Sequence, residues 1–228
     1  MPPKSRASKA QAARSEKSIQ AVATIVILVV IGAFVWSQVP KKETPQESAC
    51  EIFDSIAAAD QYETPPPMLI DRSAKYFAHI EMEKGGEIVL ELYPHKATLT
   101  VNNFIFLACK GFYDGVTFHR VLDGFMAQTG DPTGTGLGGP GYHFKNEASD
   151  LLFDKEGVLA MANSGRDTNG SQFFITFAPN DSLNGSYTIF GQVIDGMDVV
   201  NGIVRRDPQQ SPSFEGAGIN TITITLEK

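Results

Sequence analysis

The chain has 228 residues, of which 42% are hydrophobic, enough for one globular domain of moderate size plus additional segments. Residues 1–18 contain five basic side chains and one acidic one, so a net charge of −7 for the whole chain leaves −11 for the remainder. This acidic part disfavours a nucleic-acid-binding role, because it offers no net positive charge to neutralise phosphates.

The N-terminal part of the chain predicts a membrane anchor. Residues 19–39 contain no charged side chain and have the length that a transmembrane helix needs, with Trp36 near the far end where indole favours the interface. A cleaved signal peptide is the alternative, but its apolar region is shorter and SQVPKK provides no small-residue cleavage site. The basic residues before the segment predict a cytoplasmic tail over 1–18 and a single-pass protein whose main domain is extracytoplasmic, periplasmic in a bacterium.

Residues 40–75 are predicted to be a linker that contains one short helix. Ser48 and Glu51 form a capping-box pattern, and apolar residues then recur at helical spacing within 48–62. The prolines at 65–67 favour an extended conformation. Two interpretations stay open: the segment holds a domain away from the membrane, or its helix docks on the domain or on a partner.

Residues 76–228 show the regular pattern of a small β-rich domain. Many short strands, glycine turns and two helices indicate a closed β-barrel with helical caps. Strands are predicted over residues 76–82, 87–93, 117–121, 125–129, 158–162, 172–177, 188–193 and 220–227. Helices are predicted over 98–110, with Thr98 or Thr100 as the cap and Gly111 as the stop, and over 197–204.

Several residue types that often carry chemistry show no matching pattern. Cys50 and Cys109 lie far apart in different kinds of segment, so no disulfide framework is predicted and Cys109 is expected to be a small buried residue. The four histidines lack metal-ligand spacing, and no metal site or cofactor is predicted. The GTGLGG motif of residues 134–139 is followed by Pro140 rather than by a helix, which favours a flexible surface loop over a dinucleotide site.

Residues 118–131, with the sequence FHRVLDGFMAQTGD, carry the strongest functional signal. Arg120 lies near the apolar pair Phe125 and Met126 and near Gln128, in a strand-like alternation that would put His119 on the face opposite Arg120. One cation beside aromatic and thioether side chains suits a neutral, amide-like ligand. Residues 157–176 form a second stretch, which by pattern alone is equally well explained as two barrel strands with an aromatic core.

Together these stretches resemble the cyclophilins, the peptidyl-prolyl cis–trans isomerases, and the wording of the loops resembles bacterial-type members. FHRVLDGFMAQTGD, GTGLGGPGY, LAMANS and TNGSQFFIT occur in the order and at the spacing of the family, over about residues 76–228. The resemblance implies a mainly β fold, a closed eight-stranded antiparallel barrel capped by two α-helices. It also implies an isomerase of X–Pro bonds that binds proline-containing polypeptides. Together with the predicted anchor, this predicts an enzyme that assists the folding of exported or membrane-proximal proteins.

The resemblance also assigns the site residues position by position. Arg120 matches the catalytic arginine; Phe125, Met126, Phe174 and Leu183 match the proline pocket; Gln128 and Gln172 match the groups that hold the substrate backbone; and Ala162 and Asn163 match the residues that receive the segment before the proline. Two positions depart from the family, because Ser182 replaces a tryptophan and Tyr187 replaces a histidine of the pocket. We therefore expect weak cyclosporin sensitivity with isomerase activity retained.

Two functions are compatible with these residues. The first is a membrane-anchored folding catalyst, which we expect to be monomeric. The second is a non-catalytic module that binds proline-containing peptides at the membrane. The presence of Arg120 favours the enzyme, since a binding module has no need of it.

Overall fold

The computed structural model describes residues 47–227. The predicted cytoplasmic tail and the membrane helix predicted over 19–39 lie outside this range. Within residues 47–227, no helix combines the length and the apolar character that spanning a bilayer requires.

The described chain contains ten strands, two α-helices and three short 3-10 helices. The strands are β1 (Glu47–Ser48), β2 (Lys75–Met82), β3 (Glu87–Leu92), β4 (Thr117–Phe118), β5 (Arg120–Leu122), β6 (Met126–Thr129), β7 (Val158–Met161), β8 (Phe173–Thr176), β9 (Ile189–Asp195) and β10 (Ala217–Glu227). The α-helices are α1 (Thr98–Cys109) and α2 (Met197–Gly202), and short 3-10 helices cover Ala49–Phe53, Asp181–Leu183 and Pro208–Gln210.

The strands form a nearly closed antiparallel barrel. Their order is β1-β10-β2-β3-β9-β7-β8-β6-β5, and β4 pairs with β10 while β5 pairs with β6. Residues 117–122 therefore pair with β10 at one side of the opening left in the barrel and with β6 at the other. The mainly β barrel with two helices is confirmed. The strand number differs from eight, because β1 is added and the predicted strand 117–121 is divided at His119.

The barrel is held together by alternating apolar residues. In β2, the buried residues are Tyr76, Ala78, Ile80 and Met82, every second position of the strand. Strand β3 continues the pattern with Ile88, Leu90 and Leu92. This period of two places one face of each strand in the core, and burial of a large apolar side chain such as Ile80 or Leu90 contributes about 1.5–3 kcal/mol.

Helix α1 is almost completely enclosed, and the backbone N–H groups at its N-terminus are hydrogen-bonded by a residue distant in sequence. Every residue from Thr100 to Ala108 is buried. The helix was predicted to be capped by Thr98 or Thr100, but neither side chain does so. Instead, the carboxylate of Glu147 accepts hydrogen bonds from the backbone N–H groups of Leu99 (3.0 Å) and Thr100 (2.8 Å). Gly111, the predicted stop, has the left-handed φ of +67° that favours glycine after a helix.

Residues 47–62, which we call the strap, pack on the barrel. Strand β1 extends the sheet beside β10, and Phe53 is fully buried in the main core. The helix predicted within 48–62 is only the 3-10 helix Ala49–Phe53. Two interpretations of this segment were left open above. Its described part packs on its own domain, as the second interpretation proposed.

The prediction that the two cysteines are unpaired is wrong. Cys50 in the strap and Cys109 at the end of α1 form a disulfide with a Cα–Cα distance of 5.2 Å. Sequence separation alone could not reveal the pair, because the strap folds back over 59 residues to meet the helix. Cys109 is only half-buried, whereas a small core residue was expected.

Candidate active site

Three neighbouring strands bring the predicted catalytic and binding residues together. In the ladder between β5 and β6, Arg120 lies opposite Gln128. In the ladder between β6 and β8, Gln128 in turn lies opposite Phe174. The antiparallel register therefore places a cation, an amide and an aromatic ring in one row across the sheet.

The guanidinium of Arg120 is half-buried and has only weak protein contacts. Its Nη1 donates to Gln128 Oε1 at 3.4 Å and lies 3.8 Å from Met126 Sδ. Its Cζ is 5.8 Å from the ring centroid of Phe125. Among residues 47–227, no carboxylate forms an ion pair with it. The donor groups of Arg120 thus remain largely available for an uncharged acceptor on a ligand.

Two glutamine side chains continue from this cation in a chain of hydrogen bonds. Gln128 Nε2 donates to Gln172 Oε1 at 2.9 Å. Gln172 Nε2 donates to the carbonyls of Gly136 (3.0 Å) and Gly138 (2.8 Å). In both glutamines the amide nitrogen donates and the amide oxygen accepts. This series of hydrogen bonds therefore fixes the orientation of both side-chain amides.

The side chains predicted to form the proline pocket belong to one apolar cluster, separate from the main core. Met126, Phe174 and Leu183 are buried in it, and Phe125, Ala162 and Tyr187 pack on it half-buried. Phe174 contacts the ring of Tyr187 edge-on, with centroids 5.4 Å apart. Its other ring neighbour is Phe153, stacked at 5.9 Å. The partial exposure of half these residues is what a concave apolar seat at the surface requires.

Asn163 lies between two cavities beside this cluster. The smaller cavity, of about 260 Å³, is lined by Gln128, Ala162 and Gln172 and by residues 136–140. The larger, of about 690 Å³, is lined on one side by Tyr187 and Asn163. Asn163 itself is held in place by a hydrogen bond from its Nδ2 to the carbonyl of Ser186 at 3.3 Å. These cavities provide room for peptide residues on either side of the apolar cluster.

The two positions at which a departure from the family is expected have different surroundings. Tyr187 completes one wall of the cluster through its contact with Phe174. Ser182 is exposed, and its hydroxyl donates to Asn180 Oδ1 at 2.6 Å. The tyrosine therefore replaces an aromatic contact, whereas the serine contributes to a turn and adds no apolar surface.

Asp131 has a role that was not predicted from the sequence. This fully buried carboxylate accepts hydrogen bonds from the backbone of Thr133, Gly136 and Gly138 and from the Thr133 hydroxyl. Burial alone would raise the pKa of Asp131, but these hydrogen bonds outweigh burial and lower it. Residues 134–141, the glycine-rich loop, are thus organised from within, whereas a flexible loop was predicted. The aspartate followed two residues later by threonine is a turn signal that could have indicated this.

His119 lies in the interior, with 1% of its surface exposed, while the neighbouring Arg120 is half-buried at the site. Burial lowers the pKa of His119, which keeps the ring neutral near pH 7. A structural role for His119 agrees with these surroundings. Within the described range, no cluster of three or more histidine, cysteine or acidic side chains could hold a metal ion.

Known proteins with similar sequences and structures identify the family. The sequence model described as "Cyclophilin type peptidyl-prolyl cis-trans isomerase/CLD" matches residues 77–224. Peptidyl-prolyl cis-trans isomerase B of Bacillus subtilis is 48% identical over 136 residues, covering 59% of this chain and 95% of the relative. Human peptidyl-prolyl cis-trans isomerase-like 1 is 52% identical over 133 residues, covering 56% and 80%. Since bacterial and human relatives are similarly close, the expected bacterial character is not supported.

Solved structures agree with the sequence matches. A crystal structure of a Cryptosporidium parvum cyclophilin-type peptidyl-prolyl cis-trans isomerase superposes with a TM-score of 0.58 at 35% identity, covering 66% of this chain and 97% of that one. A second structure of that protein, in the presence of the dipeptide Ala-Pro, gives a TM-score of 0.55. The chain belongs to the cyclophilin family and is a cyclophilin-type peptidyl-prolyl cis–trans isomerase.

Proposed function

We propose that Arg120 is the catalytic residue of this isomerase and acts on the nitrogen of the X–Pro bond. Resonance opposes rotation of that bond with a barrier of about 18–20 kcal/mol. As the amide twists, the nitrogen lone pair becomes available, and the guanidinium of Arg120 donates to it. This hydrogen bond is absent in the planar ground state, so it selectively stabilises the transition state.

A single hydrogen bond does not account for the whole rate enhancement. Raising a rate of ~0.01 per second to ~1000 per second requires roughly 7 kcal/mol. A hydrogen bond to a charged group contributes about 1.5–3 kcal/mol. The remainder comes from holding the proline ring against Phe125, Met126, Phe174 and Leu183 while the backbone on one side turns. Gln128, Gln172, Ala162 and Asn163 hold that backbone, and Tyr187 closes the pocket wall.

One observation carries this assignment, namely the availability of the Arg120 guanidinium beside an apolar cluster. An arginine with structural purpose would normally be paired with a carboxylate or with several carbonyls. Among the residues that the structure describes, its only oxygen acceptor is Gln128, at the long distance of 3.4 Å. The dipeptide Ala-Pro used with the Cryptosporidium parvum relative is the kind of ligand that such a seat would hold.

The test replaces this cation in the full chain. We expect Arg120→Ala to reduce kcat/KM in a proline-switch peptide assay about 100-fold, the loss of one charge-assisted interaction in the transition state. The thermal unfolding midpoint should change little, because the removed contacts are weak. Arg72→Ala, at an exposed arginine, is the matched control and should retain activity. Near wild-type turnover of Arg120→Ala would show that the catalytic assignment is wrong.

We further propose that the isomerase is a monomer tethered to a membrane and works outside the cytoplasm on exported proteins. The uncharged run over 19–39 and its basic flank support the tether and the orientation. The Cys50–Cys109 disulfide independently supports an oxidising compartment, because such bonds rarely persist in a reducing cytosol. The ten proposed site residues lie within one chain, so the proposed reaction does not require a second copy.

A further inference from the structure

The strap lies before the part of the chain that matches the family, residues 77–224, yet it contacts the glycine-rich loop beside the active site. The family therefore assigns no role to the strap. Its connections to the loop nevertheless suggest one.

The strap is fixed firmly to the helix beneath it. The disulfide joins Cys50 to the last residue of α1. One turn earlier on the same helix, Phe106 contacts the rings of Phe53 (5.4 Å) and Tyr62 (5.0 Å) edge-on. The beginning and the end of the strap are thus anchored on one rigid element.

From this anchor the strap reaches the outer side of the glycine-rich loop. The N–H of Tyr62 donates to the carbonyl of Pro140 at 2.8 Å, and Gln61 Nε2 donates to the carbonyl of Gly139 at 2.9 Å. The approach is so close that a Cβ atom on Gly141 would lie 2.5 Å from the Tyr62 carbonyl oxygen. Gly141 also has a φ of +97°, so only glycine allows this contact without strain.

The inner side of the same loop belongs to the active site. The carbonyls of Gly136 and Gly138 accept hydrogen bonds from the side chain of Gln172. The side-chain oxygen of Gln172 accepts from Gln128, and Gln128 in turn accepts from Arg120. Gly138, Gly139 and Pro140 also line the smaller cavity. The carbonyl that accepts from Gln172 and the carbonyl that accepts from Gln61 thus belong to two consecutive residues, Gly138 and Gly139.

We propose that the strap is a positioning element of the isomerase, in which Gln61 and Tyr62 hold the glycine-rich loop so that Gln172 and Gln128 present their amides to the substrate. The Cys50–Cys109 disulfide fastens the strap for this purpose. Gln61 and Tyr62 act through the loop and do not touch the substrate themselves. The proposal rests on the substrate-holding roles assigned above to Gln128 and Gln172.

Loss of the strap contacts should affect substrate binding more than turnover. The amides of Gln128 and Gln172 hold the substrate backbone, so a loop that samples other positions weakens the Michaelis complex. Removing one hydrogen bond should raise KM about threefold to tenfold. Reduction of the disulfide should act in the same direction, because the strap then loses its covalent anchor.

The experiment measures kcat, KM and amide hydrogen exchange over residues 134–141 in the full chain. The variants are Gln61→Ala and Gln61→Glu. The glutamate variant removes the hydrogen-bond donor while keeping the shape of the side chain. The wild-type protein is also measured before and after reduction with dithiothreitol. Gln210→Ala is the matched control, since Gln210 is an exposed glutamine whose side-chain bond lies within its own turn. We expect KM to rise and loop exchange to accelerate in both Gln61 variants and on reduction, with reversal on reoxidation and no change in Gln210→Ala.

Because Gln61 is exposed, its variants should fold even if replacement of a cysteine disrupts the chain. Unchanged KM and unchanged loop exchange in Gln61→Ala and Gln61→Glu would overturn the proposal, even if stability fell. Arg120→Ala, measured alongside, separates this failure from failure of the proposed function. If Arg120→Ala retains full turnover, the assigned site is wrong, and the loop exchange rates then decide the strap proposal by themselves.

Discussion

At the scale of single residues, Ser182 and Tyr187 are the two positions at which we expect this pocket to differ from those of its relatives. Tyr187 makes an aromatic contact with Phe174, whereas Ser182 is exposed and donates its hydroxyl to Asn180, the residue that caps the following turn. An aromatic side chain buries 150–250 Å² in a contact, roughly 4–6 kcal/mol by area, and only part of this survives as binding free energy. A large apolar ligand therefore loses more at this site than a short peptide does.

We expect Ser182→Trp to increase cyclosporin affinity at least tenfold, because the indole restores a large apolar surface beside Leu183. The turn should persist, since Asn180 Oδ1 still accepts from the backbone N–H of residue 182. Isothermal titration of both proteins with cyclosporin measures the change, and Asp181→Trp, one position away, serves as a control. Tight binding by the wild-type chain would contradict the prediction of weak cyclosporin sensitivity.

Asp131 illustrates a residue whose importance depends on its surroundings. Its pKa is lowered in the folded chain, so its ionised form stabilises the fold above the ordinary carboxyl pKa, about 3.9. This stabilisation is lost as the pH falls from that value through the lower folded pKa. The glycine-rich loop should therefore loosen under acid conditions.

We expect Asp131→Asn to lower the free energy of unfolding at neutral pH by about 1–3 kcal/mol, since a neutral amide oxygen replaces an ionised acceptor of several hydrogen bonds. The difference from wild type should narrow below about pH 4, where the wild-type carboxylate becomes protonated. Urea denaturation at pH 7, 5, 4 and 3 measures both curves. A difference that stays constant across this range would show that ionisation of Asp131 does not stabilise the loop.

The site residues could be predicted from sequence to different extents. Arg120, Met126 and Gln128 follow a strand alternation that the ladder between β5 and β6 reproduces. Asp131 and Phe153 could not be ranked, because their roles depend on which loop and which ring come close to them. A pattern along one segment identifies the face of a strand but contains no information on contacts between distant segments.

At the scale of elements, periodicity predicted the strands and helices well and their ends less well. Strands β2, β3 and β10 alternate in burial and lie within a few residues of their predicted bounds. The strap contradicts the same reasoning. Ala49 and Phe53 are buried at helical spacing, but residues 57–61 are exposed. A longer helix would therefore gain no stabilisation from packing there.

The N-terminus of α1 gives a prediction at this scale. Glu147 satisfies two backbone donors and the hydroxyl of Thr100, the role usually taken by a capping residue of the helix itself. We expect Glu147→Ala to lower the free energy of unfolding by about 1–2 kcal/mol. Chemical denaturation measures this loss, with Glu215→Ala, at an exposed acidic residue, as the control. Equal stabilities of the two variants would show that the cap contributes nothing.

At the scale of the whole molecule, the Cys50–Cys109 disulfide bears both on the stability of the fold and on the compartment in which the chain folds. It closes a separation of 59 residues, for which the chain-entropy estimate of stabilisation is about 4 kcal/mol. That is a large share of the 5–15 kcal/mol that stabilises a typical domain. A chain that depends on this bond benefits from folding in an oxidising compartment, and the basic flank before residues 19–39 predicts export of the domain independently.

We expect the full chain to fractionate with membranes and to carry no free thiol in the cell. A form lacking residues 1–39 should stay in the cytoplasm with both cysteines reduced. The measurement blocks free thiols in acid-quenched cells, reduces the protein, and then counts newly exposed thiols with a maleimide that adds visible mass. The full chain should gain two labels and the shortened form none.

Cys50→Ser should gain none in either form, because Cys109 then has no intramolecular partner. Two blocked, reduced thiols in the full chain would place the isomerase domain on the cytoplasmic side, contrary to the orientation that the charge distribution predicts.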